Sequence, residues 1–472
     1  QYREYTYSKA MEIANSKEEK KKEKNKEIEK TSKFIDKENN LFYEQVYQDG
    51  INKFCIYNLE KDCWTFEDNF EIGGVLVTPI DDEEVEKRAV LLPSEPLEYK
   101  SDKKLDDDIK EFINRWLDIP EDMLQFSVWN IKRSWVYERF HTLNYLRALG
   151  DTGMGKSRFI DTLGSIHYKP INSSGATTPA PVFRIIDKWK GTLILDESDF
   201  QKSDESQDII KIINQGFEKG KFVMRCDENN REKIKFFDPF CPKILGTRKS
   251  FTDKAVEARC ITQVMGGTNR KDIELNINDK FWKESQELRN KLLLWRFRNY
   301  FKIEPEQKVD FDLGDLEPRV KQIVSSFIIL FKDDKEQLNN FKIFIQKHQK
   351  HIIEERKTSF DGSIIKAIHE LIAYDKWKID CKDIIQEGDL KGYNGKEMNA
   401  RSLSSKLSAL GFKSAKQEKV NGKNKRCIPM EKEHLNKLFK RYGFSEIDDN
   451  NKVTPEDEKS EIEKDFGVQN DD

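Results

Sequence analysis

The chain has 472 residues, 83 Lys and Arg against 86 Asp and Glu, and a net charge of −3; hydrophobic and charged residues each make up 36%. That length predicts two to four domains, and the absence of any long uninterrupted apolar run means that no transmembrane helix and no membrane partner are expected. No signal peptide is expected either, and the chain opens at Gln1, as a fragment or a processed chain would. The seven cysteines are scattered without a Cys-x-x-Cys, so reduced thiols are expected; Cys55 and Cys63 are spaced to bridge a hairpin.

Residues 1–40 are dominated by Lys and Glu and predict a solvated helix or a charged linker. From 41 to 104, short runs of strand character at 53–59, 74–78 and 89–92 predict a small β-rich module. Ile109, Phe112, Ile113, Trp116 and Leu117 recur at helical spacing, so 106–118 predicts an amphipathic helix. A second helix is expected over 122–140, with Trp116, Trp129 and Trp135 in the core. From 142 to about 265, strand-like and helix-like runs alternate, the pattern of an α/β fold with a parallel sheet. The expected domains are therefore an α/β core at 105–278, a helical lid or connector at 279–355, a compact basic domain at 356–444 and an acidic, disordered tail at 445–472.

Within the core, residues 150–157 read Gly-Asp-Thr-Gly-Met-Gly-Lys-Ser, a full phosphate-binding loop placed between a strand and a helix. Gly150, Gly153 and Gly155 let the backbone turn, so that N–H groups along Asp151, Thr152 and Met154 can face phosphate oxygens. Lys156 is expected to reach the β- and γ-phosphates and Ser157 to ligate Mg²⁺. The motif predicts binding of a nucleoside triphosphate.

About forty residues on, Gly191-Thr-Leu-Ile-Leu-Asp-Glu-Ser198 runs a strand into two carboxylates. Asp196 is expected to share the Mg²⁺ shell with Ser157, and Glu197 to act as general base on water. A third strand, 241–247, ends in Thr247, whose hydroxyl is expected to meet the attacking water or the γ-phosphate. Beyond it come Arg248 and then Arg259, which follows a short helix and precedes a strand.

These elements resemble the AAA+ ATPases over roughly residues 105–300, and within them the helicase-type, superfamily 3-like replication ATPases of plasmids, viruses and mobile elements. The resemblance implies an AAA+ P-loop core with a helical lid, ATP and Mg²⁺ as cofactors, and a homo-oligomeric ring, often a hexamer. It implies localisation in the cytoplasm or wherever such an element replicates. It places Thr247 in the sensor-1 position, where superfamily 3 enzymes usually carry asparagine. It makes Arg259, with Arg248 as rival, the arginine finger toward a neighbouring subunit, and Arg289, with Arg296 as rival, the lid arginine at the nucleotide.

Two segments point to DNA. Residues 220–237 predict a β-hairpin, which in the relatives lines the ring's pore; Lys219, Lys221, Arg231 and Lys233 would meet the phosphates of a single strand, with acidic Asp227 and Glu228 at the tip. Between 391 and 441 there are fourteen Lys and Arg against four Glu. A helix with Leu403, Leu407 and Leu410 inside carries Arg401 and Lys406 outside, ahead of a basic loop with Lys413, Lys423, Lys425 and Arg426. This resembles a winged helix-turn-helix that binds duplex DNA. The expected function is an ATP-hydrolysing DNA motor, a replicative helicase or replication initiator of a mobile element. The alternatives are a loader or transposition regulator that does not translocate, and an ATP-gated assembly protein.

Overall fold

The computed structural model describes residues 28–174, 178–196, 204–226, 233–304, 309–392, 395–420 and 422–448. The chain forms two compact units, divided between residues 344 and 345.

The first unit opens with seven strands: β1 (Ile28–Lys30), β2 (Lys33–Asp36), β3 (Leu41–Gln48), β4 (Ile51–Asn58), β5 (Cys63–Glu67), β6 (Phe70–Ile72) and β7 (Val75–Thr78). β2 to β5 form an antiparallel meander, and β1, β7 and β6 a second small sheet. The β-module therefore begins inside the segment expected to be linker, because Phe34 and Ile35 pair with Tyr43 and Phe42 on β3. Residues 1–27 lie outside the described residues. The run at 89–92 is buried but forms one bridge only, Val90 to Ile171, and Pro93, lacking an N–H, ends the pairing. Cys55 is buried and Cys63 exposed, both as free thiols.

After a single turn α1 (Glu83–Glu86) come α2 (Asp102–Trp116) and α3 (Glu121–Trp135). Ser101 caps α2 by accepting from Lys104 N at 3.2 Å, and the apolar stripe Leu105, Ile109, Phe112, Ile113 and Trp116 faces inward. α3 is buried on nearly all sides, which is why its sequence mixes Trp129 and Trp135 with polar residues that bond internally.

Five parallel strands form the central sheet: β8 (Tyr145–Leu149), β9 (Pro170–Ser174), β10 (Thr192–Asp196), β13 (Lys243–Thr247) and β14 (Cys260–Val264), in spatial order β14-β8-β13-β10-β9. The connecting helices are α4 (Lys156–Gly164), α5 (Pro179–Trp189), α6 (Asp204–Gln215) and the one-turn α7 (Lys254–Glu257). A two-stranded hairpin, β11 (Val223–Cys226) and β12 (Ile234–Phe237), leaves the core between β10 and β13. α8 (Asp279–Asn299) and α9 (Pro318–Leu330) complete the unit, and α10 (Lys335–Lys357) carries the division. Among the described residues no helix is long and apolar enough to cross a membrane.

A buried group of charges ties the β-module to this core. Glu44 on β3 is 1% exposed and accepts from Arg296 Nε of α8 at 2.8 Å, from Lys169 Nζ at 2.9 Å and from the Tyr168 hydroxyl at 3.0 Å. Arg296 and Lys33 also hold Glu138, at 2.9 and 2.7 Å. Burial by itself would raise Glu44, but Arg296, Lys169 and Lys33 outweigh it and hold the carboxyl below its usual range. Burial, with the Arg296 and Lys33 charges, overrides Glu44 at Lys169 and brings that lysine down to about 8.

The second unit strings α11 (Phe360–Ala373), α12 (Cys381–Glu387) and α13 (Ala400–Ala409) to a hairpin, β15 (Lys416–Val420) and β16 (Lys423–Cys427), and a last helix α14 (Lys432–Tyr442). Ile364, Ile368, Leu403, Leu407, Phe412, Leu435 and Phe439 form its core, with Leu410 at the margin. Gly422, at φ 77°, makes the hairpin turn. Ile428 N donates to Ile379 O at 2.8 Å, adding a short edge to the hairpin. Residues 445–448, expected as the start of the tail, belong to this unit, because Ile447 is buried and its N–H donates to Asn436; residues 449–472 lie outside the described residues.

Glu44→Gln is expected to destabilise the first unit by about 3–5 kcal/mol, since it leaves buried cations uncompensated; urea unfolding measures it. His167 supplies a pH signature. It is fully buried, with Nδ1 2.7 Å from Leu163 O, and burial, aided by Arg133, brings it from 6.5 to about 4. Between those values the unfolded chain binds a proton that the native chain does not, so stability falls as pH drops from about 6.5 to 4, by roughly 3 kcal/mol. His167→Gln is expected to flatten that part of the stability–pH curve.

Candidate functional site

The carboxyl ends of parallel strands share one edge of the sheet, and the residues singled out from sequence collect there. β8 ends at Leu149 and the chain enters the loop 150–155. Gly153 and Gly155 take φ of 81° and 90°, open at little cost only to glycine. A Cβ on Gly150 would stand 2.9 Å from Met265 O, so the loop lies tight against the end of β14. Gly155 precedes α4 without any side-chain cap, leaving the first N–H groups of the helix available to an anion. Lys156 is buried and its Nζ donates to Asp151 O at 2.7 Å, folding the ammonium across the loop.

Ser157 stands in the first turn of α4 and its hydroxyl donates to Asp196 Oδ2 at 2.8 Å, so two oxygens 39 residues apart in sequence meet at the sheet edge. Hard oxygen ligands in this number suit Mg²⁺, which takes one or two protein oxygens beside phosphate and water. Among the described residues no cluster of three or more His, Cys, Asp or Glu offers a competing metal site. β13 lies between β8 and β10 and ends in Thr247, whose carbonyl accepts from Gly150 N at 3.2 Å. The Thr247 hydroxyl is buried and has no partner among the described residues. A buried hydroxyl without a protein partner costs stability and leaves its lone pairs open to a water or a ligand. Beside it, a Cβ on Gly246 would come within 2.8 Å of Asp196 Oδ1 and 2.5 Å of Ile160 Cδ1, so glycine is what lets the carboxylate approach. Glu197 lies outside the described residues.

Three further residues were missed in sequence, the first of them at this edge. Asp161 stands one turn beyond Ser157 on α4; loss of surrounding water and the Asp196 charge lift its carboxyl to about 6. Part of Asp161 faces solvent, which makes Asp196 the firmer cause. Its spacing of four from Ser157 was the available signal. Lys243, at the start of β13, is fully enclosed and donates to Gly216 O and Pro239 O at 3.0 Å and to Cys241 O at 3.1 Å. The ammonium thereby closes the base of the segment that carries the β11–β12 hairpin, and a Cβ on Gly216 would strike it at 2.4 Å. Arg147, on β8, grips Glu257 with two bonds at 2.5 and 2.6 Å, and Glu257 accepts from Phe251 N, which fixes the turn leading from Thr247 to α7.

The arginines divide. Arg248 is exposed beside Thr247. Arg259 precedes β14 and so sits at the opposite edge of the sheet, roughly 15 Å of strand away from the loop. It is buried, bonded to Asn214 and laid 4.0 Å over the Phe217 ring. Arg289 does not face the loop as expected. It is enclosed by α8 and spends its guanidinium on Leu92 O, Ser165 O, Ser285 and Gln286. Its rival Arg296 is committed to Glu44 and Glu138.

Of the hairpin cations, Lys221 and Lys233 are exposed, Lys219 Nζ donates to Glu138 O at 3.1 Å, and Arg231 lies outside the described residues with the tip. In the second unit Arg401, Lys423 and Arg426 are exposed. Lys406, Lys413 and Lys425 are paired within the unit to Asp361, Glu431 and Asp380 at 3.6, 2.5 and 3.3 Å.

No family model matches the chain, and no curated protein matches it. Among solved structures, the apo C-terminal region of NrS-1 is similar over 82% of this chain and 97% of its own, at 11% identity and a TM-score of 0.37. The SCCmec type IV Cch, an active helicase, is similar over 88% of this chain and 99% of its own, at 12% identity and a TM-score of 0.36. JCV helicase with a bound inhibitor is similar over 53% of this chain and 66% of its own, at 11% identity and a TM-score of 0.25. At such TM-scores none of these likenesses assigns a family.

Gly246→Ala is expected to push the Asp196 carboxylate from Ser157 and weaken Mg²⁺-dependent ATP binding about tenfold, or ~1.4 kcal/mol. Titration with a fluorescent ATP analogue, with and without Mg²⁺, reads it.

Proposed function

We propose that the chain is an ATP-hydrolysing DNA motor that works as a homo-oligomeric ring, a replicative helicase or replication initiator of a mobile element. The observation that carries the reading is the junction of Ser157 and Asp196, 2.8 Å apart under a complete phosphate loop and beside the unpartnered Thr247 hydroxyl.

In this reading the N–H groups of 151–155 and the start of α4 hold the phosphates, and Lys156 leaves the Asp151 carbonyl for the β- and γ-oxygens. Ser157 and Asp196 would hold Mg²⁺, which when bound neutralises phosphate charge. Thr247 orients water or a γ-oxygen through its open hydroxyl. Glu197, next in the chain after Asp196, takes the proton as water attacks the γ-phosphorus and ADP leaves. Arg248, exposed at this edge, is the better placed of the two arginines for the phosphates; Arg259 serves a neighbouring subunit only once assembly draws it from Asn214. The β11–β12 hairpin meets a single strand, and the second unit, read as a winged helix, presents Arg401, Lys423 and Arg426 to duplex.

The second reading is an AAA+ DNA-binding ATPase that does not translocate, favoured by the internal commitment of Arg259. Lys156→Ala is expected to abolish ATP hydrolysis, and Glu197→Gln to slow it by about 10²–10⁴ while nucleotide still binds. Strand displacement on a tailed duplex should require ATP and fail in both variants. Hydrolysis that survives both substitutions rejects the site; hydrolysis without displacement favours the second reading.

A further inference from the structure

The β11–β12 hairpin has two unlike faces. On one, Val223 is buried, Phe237 packs on Phe183 with ring centres 4.7 Å apart, and Arg225 lies 5.3 Å over the same ring. On the other, Met224 pairs across the strands with Phe236 and Cys226 with Ile234, and Phe222 extends the row. Phe222, Met224, Ile234 and Phe236 are 49%, 58%, 52% and 58% exposed, a continuous apolar face turned to solvent. The Phe222 and Phe236 rings stand edge to face, 6.3 Å apart. A contiguous apolar patch on a monomer surface is often a binding site.

Its rim narrows the choice. Between 219 and 237 the sequence holds six Lys and Arg against three Asp and Glu, and Lys221 and Lys233 stand exposed next to Phe222 and Ile234. A two-fold pairing of this face with itself would oppose an excess of positive charge to itself. Aromatic rings framed by cations suit a ligand with flat apolar faces and an anionic backbone. We propose that this face binds single-stranded nucleic acid by stacking unpaired bases on Phe222 and Phe236, with Met224 and Ile234 filling between them and Lys221 and Lys233 on the flanking phosphates.

The inference rests on the motor reading and adds to it how the strand is held. Stacking accepts every base, because each has a π face, so grip is independent of sequence. Lys243, bonded to Gly216 and Pro239, ties together the two ends of the segment that carries the hairpin.

The test uses the full chain and fluorescence anisotropy with oligothymidylate, oligouridylate and an abasic strand of equal length. Wild type is expected to bind either base-bearing strand far better than the abasic one, and the comparison of thymidylate with uridylate separates DNA from RNA. Phe222→Leu and Phe236→Leu keep an apolar side chain but lose the ring, and each is expected to weaken binding by about five- to 150-fold with an unchanged salt slope. Phe236→Trp should restore it. The pair Lys221→Ala, Lys233→Ala should instead reduce the slope by about 1.4. Leucine variants that bind as wild type does, or abasic strand bound as well as oligothymidylate, overturn the proposal. So does a change of oligomeric state in the leucine variants without nucleic acid, which would make the face a contact between copies. If wild type binds no strand while hydrolysing ATP, the motor reading fails as well; if it binds but ignores the rings, only the stacking is lost.

Discussion

The fold of the first unit depends on one buried carboxylate. Glu44 comes from the antiparallel β-module, Lys169 from the turn into β9, and Arg296 from α8, so three segments as much as 252 residues apart converge on two oxygen atoms. Removing such charges from water costs several kcal/mol each, and the loss is offset only where every charge is paired and hydrogen-bonded. Glu44, Glu138, Tyr168, Lys33 and Lys169 meet that condition together. A partial set would be worse than an apolar core, which makes the cluster a strong constraint on how the module seats. It also explains why α8 carries arginines that turn away from the phosphate loop: Arg289 and Arg296 serve the interior.

With α8 and the β-module fixed, the sheet can present its carboxyl edge open. Order β14-β8-β13-β10-β9 inserts β13 between the strand that feeds the phosphate loop and the strand that delivers Asp196. Thr247 therefore falls between the two, and Gly246 keeps space for the carboxylate. The positive-φ glycines, the unpartnered hydroxyl and the raised Asp161 carboxyl gather at this edge. At the opposite edge the charges bond within the unit, Lys243 to three carbonyls and Arg259 to Asn214.

Charge alone was a coarse guide to the proposed nucleic-acid surfaces. The second unit carries its basic excess where expected, but Lys406, Lys413 and Lys425 answer acids of the same unit, leaving Arg401, Lys423 and Arg426 as the cations of that set without an acid partner among the described residues. On the hairpin the reverse holds: lysines drew attention in the sequence, whereas the larger exposed feature is apolar. Alternation along β11 and β12 was readable. Which face would find a partner was not, because that depends on Phe183 arriving from α5.

The sequence by itself determined the local parts: the phosphate loop, the strand that ends in Asp196, the strand that ends in Thr247, the core tryptophans and the leucine stripe of α13. Each is set by spacing within a dozen residues, where backbone geometry converts pattern directly into position. Boundaries that rest on partners elsewhere were misread, as with β1 and β2 in an apparently charged linker, the broken run at 89–92, and Ile447 in the apparent tail. The tertiary structure alone decided which charges are spent inside. Arg259 and Arg289 have the same chemistry as Arg248, and only the arrival of Asn214, Phe217, Leu92 and Ser165 removes them from solvent. An ionised side chain takes its role from the groups that replace its water, and those come from distant parts of the chain.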